Sequence, residues 1–197
     1  DQYRAPGFID IHSHSDTTLP GCRLAESRIL QGITTEIGGD CGISAAPVSP
    51  DPGKRKLLAD YVGEMDYAWD SLGGYLDYME ERKPSVNFGT AAGHGTIRLA
   101  SMGFEARKAS KAEMELMKRL LRRSLAEGAF ALSSGLIYPP GCYADTDELA
   151  ELCRELVPYG AFYETHMRDE GEQVVEAGKE ALEICKRSGV PLQIAHH

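Results

Sequence analysis

The sequence predicts an α/β fold in which a parallel sheet carries helices packed outside it. Two observations predict this. Short apolar runs alternate with helical patterns along the whole chain, six times over, and repetition of strand then helix calls for parallel pairing. Histidines and one cysteine fall just after several of those runs. In a parallel sheet such strand ends share one edge.

The six runs cover residues 7–11, 33–37, 86–92, 129–132, 161–163 and 191–195. Each is short and apolar enough to be a buried strand. Between them, Ser110 with Glu113 forms a capping box, followed by Met114, Met117, Leu120, Leu121 and Leu125 at helical spacing and closed by Gly128. Asp145 with Glu148 opens a second helix, with Leu149, Leu152, Cys153 and Leu156 on one face and Pro158 and Gly160 beyond it. A third lies within 167–188, with Val174, Val175, Ala181, Ile184 and Cys185 apolar, and Gly189 and Pro191 stopping it. The pattern weakens over 51–83, where a helix over 61–79 is expected within an insertion or loop region. An open doubly wound sheet and a closed eight-stranded barrel both satisfy this periodicity. No glycine-rich dinucleotide fingerprint follows the first run and no phosphate loop occurs, which argues against nucleotide binding.

Composition narrows the partners. The 197 residues are 42% hydrophobic and 26% charged, with a formal net charge of -9 and the two signs intermixed. That balance argues for a soluble domain and against nucleic acid or an anionic membrane as a partner. No apolar stretch approaches the roughly 20 residues that span a bilayer. Five widely spaced cysteines suit free thiols or a metal ligand in a reducing compartment, so a cytoplasmic location is expected. The chain opens without Met and ends in an apolar run, as a fragment of something longer would.

The candidate functional residues follow the runs. His12 and His14 come directly after the first, Cys41 after the second, His94 after the third and Tyr138 after the fourth. His166 ends the fifth, and His196 with His197 the sixth. One histidine at a strand end is more often a hydrogen-bonded structural residue than a ligand, and one buried cysteine is usually a small hydrophobe. Repetition across several strands is what points to a metal. Imidazole with thiolate is a zinc-type donor set.

Specific segments then carry a resemblance. Residues 8–16 (FIDIHSHSD) look like the metal-binding first strand of the amidohydrolase superfamily. Residues 32–35 (GITT), 40–44 (DCGIS), 93–98 (GHGTIR), 134–140 (SGLIYPP), 165–172 (THMRDEGE) and 194–197 (IAHH) are similar, in the same order, to segments of the N-acyl-D-amino-acid deacylases (the D-aminoacylase family). That resemblance implies a partial (β/α)8 TIM-type barrel with strands 1–6 present, and with the remaining strands and a flanking β-sandwich missing from this chain. It implies zinc-dependent hydrolysis of small-molecule N-acyl-D-amino acids. Cys41, His166 and His196 would hold one tight zinc; His12 and His14 would help to form a second, weaker position. His196 rather than His197 matches the family's ligand. Tyr138 would donate a hydrogen bond to the substrate's α-carboxylate. The family's catalytic base is an aspartate on strand 8, beyond His197, so no catalytic residue is expected within this chain and hydrolysis by it alone should be impaired.

Two departures from the family pattern stand near the site: Asp40 where Asn is usual, and Gly95 where Gly-His-Ser is usual. Arg168, Asp169 and Glu170 read as a solvated helix start. Dihydroorotases and hydantoinases are the alternative enzymes, but they carry a carboxylated lysine after strand 4, where this chain has Ser133, Ser134 and Gly135. A non-catalytic zinc module is the alternative outside enzymes, and it would close all four coordination positions.

Overall fold

The computed structural model describes residues 4–63 and 65–196. The first sheet is built from β1 (Phe8–Asp10), β2 (Ile33–Gly38) and β3 (Asn87–Thr90), and the second from β4 (Ala92–Gly93), β5 (Ala131–Gly135), β6 (Phe162–His166) and β7 (Leu192–Ile194). Strand order within each follows the chain, β1-β2-β3 and β4-β5-β6-β7, and every pairing is parallel. Helices α1 (Ser15–Thr18), α2 (Glu26–Ile29), α3 (Pro52–Val62), α4 (Leu72–Arg82), α5 (His94–Met102), α6 (Lys111–Ala126), α7 (Thr146–Cys153) and α8 (Val174–Ser188) fill the connections. Among the described residues no helix is long and apolar enough to cross a membrane.

The helix signals act as the sequence predicts. Ser110 and Glu113 form both halves of the capping box of α6, and Asp145 caps α7 by accepting from Glu148 N. Met117, Leu121 and Leu125 of α6 and Leu149, Leu152, Cys153 and Leu156 around α7 are buried together with Ile184 of α8. Gly189 ends α8 in the left-handed conformation that a side chain rarely adopts.

Four expectations change. The run over 86–92 is two strands rather than one, parted at Ala91, because the segment after β2 occupies the space between the sheets. Gly93 N donates to Ser44 Oγ at 3.0 Å, and Thr96 N at the start of α5 donates to the Gly42 carbonyl at 3.2 Å. The helix expected over 61–79 is instead α3 and α4, with 63–71 between them. Asp51 and Ser71 cap the two helices, and Pro52 sits in the first turn of α3, where a missing N–H costs nothing. The first strand, expected to be buried, is an exposed edge paired only with β2 among the described residues: Phe8, Ile9 and Ile11 are each more than half exposed. Val175, placed on the apolar side of α8, is also exposed.

Candidate metal centre

The strand ends bring four donors together. Cys41 Sγ lies 3.4 Å from His12 Nε2 and 3.2 Å from His196 Nε2, and the donor atoms of these three residues fall within 4.8 Å of one another. His166 joins through His196, their ring centroids 4.5 Å apart, and His166, Glu170 and His196 make a second group within the same reach. His14 stands at the rim, exposed, its ring perpendicular to that of His12 at 5.8 Å. Tyr138 sets its ring edge-on to His166 at 4.9 Å and is 40% exposed. His197 lies outside the described residues.

Backbone strain marks the two closest donors. Cys41 has φ 52° and His196 has φ 49°, both in the left-handed region that non-glycine residues seldom occupy. Such strain persists only where the surroundings overdetermine it. Around Cys41 they do. Ser133 Oγ on β5 accepts from Gly42 N at 3.1 Å and donates to the Gly39 carbonyl, pinning the loop on both sides of the cysteine. The Cys41 carbonyl presses so close to Gly135 that a Cβ there would collide with it. Gly39, at φ 78°, meets the Ala91 carbonyl in the same way.

The electrostatics differ across the cluster. His12 is flanked by Glu164 on β6, whose Oε1 is 3.3 Å from Nδ1, and by Asp40, whose Oδ1 is 3.9 Å away. Contact with the Cys41 sulfur first, and with Glu164 next, holds the His12 imidazole up to about 10. Asp40 accepts from Ser13 N at 2.9 Å, and burial, reinforced by Glu164, pushes its carboxyl up to about 8. Burial also pushes the Cys41 thiol up, with His12 opposing. His166 goes the other way: burial lowers it, so the ring stays neutral. Neither His166 nitrogen has a hydrogen-bond partner among the described residues, although both are buried. An orphaned imidazole beside a thiol and two further imidazoles fits a zinc-type cation, whose soft and borderline donors are these groups.

His94 takes no part in this. It opens α5, fully buried, with Nε2 2.9 Å from Glu148 Oε1, the oxygen that also accepts from Arg98 Nε at 2.9 Å. Glu164 is the residue that the sequence reading missed. Its one signal is parity: on a strand, Glu164 and His166 share a face, so a buried carboxylate two residues before a strand-end histidine belongs to the same site.

Comparison with known proteins agrees with this picture. Residues 2–196 match the model of the amidohydrolase family. The D-aminoacylase of Alcaligenes xylosoxydans xylosoxydans is 40% identical over 194 residues, covering 98% of this chain and 40% of that protein. A solved structure of D-aminoacylase, described for its binuclear metal center, one-metal activation and second-metal attenuation, superposes with a TM-score of 0.87 at 39% identity, covering 98% of this chain and 40% of the other. The N-acyl-D-glutamate deacylase of Bordetella bronchiseptica, solved with zinc and a phosphonate mimic of the tetrahedral intermediate, gives a TM-score of 0.87 at 34% identity, covering 95% and 39%. The chain thus spans about 40% of the length of the relatives it matches.

Proposed function

The chain belongs to the amidohydrolase family, and from that premise we propose that it carries the metal centre of an enzyme hydrolysing N-acyl-D-amino acids to a D-amino acid and a carboxylate. The observation that carries this reading is the convergence of Cys41, His12 and His196, from the ends of β2, β1 and β7, within 4.8 Å of one another, with His166 at the end of β6 beside His196. The relatives that share this chain's sequence over nearly its whole length act on N-acyl-D-amino acids or are named for doing so. With β3 and β4 counted as one divided strand, the strands are the first six of an eight-stranded barrel, a reading supported by their sequential parallel order in each sheet. The five free thiols accord with a cytoplasmic setting.

Cys41, His166 and His196 would hold a tight zinc, with His12 and His14 turned toward a second, weaker position. A zinc ion there supplies Lewis acidity, which polarises the amide carbonyl and makes water a nucleophile near neutral pH. The chain's own residues prepare that chemistry. Burial keeps His166 neutral, so the lone pair of its unprotonated ring nitrogen stays available for coordination. Glu164 and Asp40 lie against His12 Nδ1 and fix its ring so that Nε2 faces Cys41. A carboxylate behind a ligating imidazole sets the tautomer and strengthens the donor. Tyr138 keeps its proton, since burial raises its pKa, and its hydroxyl can donate to the substrate's α-carboxylate beside His166. The cyclic-amide alternative gains nothing here, because Ser133, Ser134 and Gly135 stand where those enzymes carry a bridging lysine, and Ser133 is engaged with Gly39 and Gly42.

The test is amide hydrolysis by the zinc-loaded, full-length protein across paired N-acetyl-D- and N-acetyl-L-amino acids, including Met, Leu, Glu and Asp. Turnover confined to the D-isomers is expected. Hydrolysis of cyclic amides instead, or of L-isomers equally, would contradict it.

A further inference from the structure

We propose that Arg98 and Arg168 are positioning residues that clamp residues 136–144, the segment that carries Tyr138, from its two sides. The inference rests on the reading of Tyr138 as a substrate contact. The segment leaves β5 as a turn followed by a single 3-10 turn over Gly141–Tyr143, and backbone carbonyls there need partners when they are buried. Two guanidinium groups supply them. Arg98, fully buried on α5, donates Nη1 to the Pro140 carbonyl at 3.1 Å. Arg168, just beyond β6, donates Nη1 to the Cys142 carbonyl at 3.0 Å and Nη2 to the Ala144 carbonyl at 2.9 Å. Three alternate carbonyls are therefore held by charged donors that come from different elements.

Each arginine is itself fixed. Arg98 meets Glu148 at 2.9 Å, and Glu148 is shared with His94. Arg168 makes a two-pronged contact with Glu180 of α8 at 2.8 and 2.9 Å, and Thr146 Oγ1 donates to the same carboxylate at 3.0 Å. A buried ion pair is a poor device for stability alone, since apolar side chains of like volume do as well. Its use is geometric, because the planar fork fixes direction as a lysine cannot. The link to Tyr138 is short: Cys142 N donates to the Tyr138 carbonyl at 2.8 Å, and Tyr138 N to the Gly135 carbonyl at 3.3 Å. Holding Pro140 and Cys142 therefore holds the tyrosine just before them, between Gly135 and Cys142.

Arg168 is the tractable half, because it is partly exposed while loss of Arg98 would strand Glu148 in the core. Amide hydrogen exchange of Cys142, Tyr143 and Ala144 in the full-length protein reads the clamp without any substrate. Arg168→Gln and Arg168→Lys should each speed exchange by about ten- to a hundredfold, as loss of charge-assisted bonds implies. Arg187→Gln, which removes an exposed pair with Asp147, should leave it within about twofold. With N-acetyl-D-amino acids, KM should rise roughly tenfold in the Arg168 variants while kcat changes less than about threefold, the mark of lost substrate binding rather than lost chemistry. Unchanged exchange in both Arg168 variants, or equal acceleration in Arg187→Gln, would overturn the clamp. Faster exchange with KM unchanged would overturn its link to Tyr138. If the wild-type protein turns over no N-acyl-D-amino acid, the functional reading fails while exchange still decides the clamp.

Discussion

The two sheets reach the same site under opposite conditions. In the second sheet, β5 is buried throughout, β6 nearly so, and the turn beyond β5 is tied by ion-paired arginines. In the first, β1 is paired on one side only within this chain, which spans about 40% of the length of its relatives, and it delivers His12 to the cluster. The donors inherit the difference. His166 is buried and neutral, with Glu170 Oε1 3.5 Å from its Nε2, whereas His12 sits among a thiol and two carboxylates that raise its pKa. A metal centre can thus take one donor preorganised by exclusion of water and another preorganised by charge.

The comparison can be broken most forcefully at the buried charges of the second sheet's helices. Glu148→Gln should cost about 3–5 kcal/mol at neutral pH, because it leaves Arg98 unpaired in the core. The effect should depend on pH with a definite sign. Burial pushes the Glu148 carboxyl up, but His94 and Arg98 together outweigh it, leaving the group below its ordinary value of 4.5. Its stabilisation is therefore complete above that value and lost as pH falls through the folded-state one. Urea unfolding of both proteins from pH 7 to pH 3 should show the gap closing at the acid end.

Packing gives the next contrast. Leu132→Ala in β5 removes a fully buried side chain and should cost about 2–5 kcal/mol. In the 197-residue chain by itself, Ile9→Ala in β1 should stay within about 0.5–1 kcal/mol, as the unpaired side of β1 leaves its side chain largely in water there. Thermal unfolding of the two variants measures both, and equal losses would erase the distinction between the sheets. The smallest effect concerns the charged side of the site. Glu164→Gln should weaken metal binding by about ten- to a hundredfold with little change in stability, as expected for a carboxylate that orients a ligand. Titration of the metal-free variant checks it.

Much of this was legible in the sequence, and the exceptions have physical causes. Caps at Ser110 and Asp145 could be read because a capping box is local chemistry. The shared edge of a parallel sheet gathered the strand-end histidines and Cys41 together, and only the family resemblance picked out Cys41, His166 and His196 among them. The division of the third strand could not, since it depends on the Gly39–Ser44 segment crossing from another part of the chain. His94 looked like its fellow histidines, and only the fold shows that it faces Glu148. Arg168 looked like a solvated helix start, yet its bonds are to carbonyls more than 20 residues away in sequence.

Cobalt titration of the metal-free, full-length protein, followed by absorbance, tests the central claim most directly. The account predicts a sulfur-to-cobalt charge-transfer band that grows with the first equivalent and is lost in Cys41→Ser. A band that survives in Cys41→Ser, or no band in a protein shown to bind cobalt, would contradict a metal centre built on Cys41.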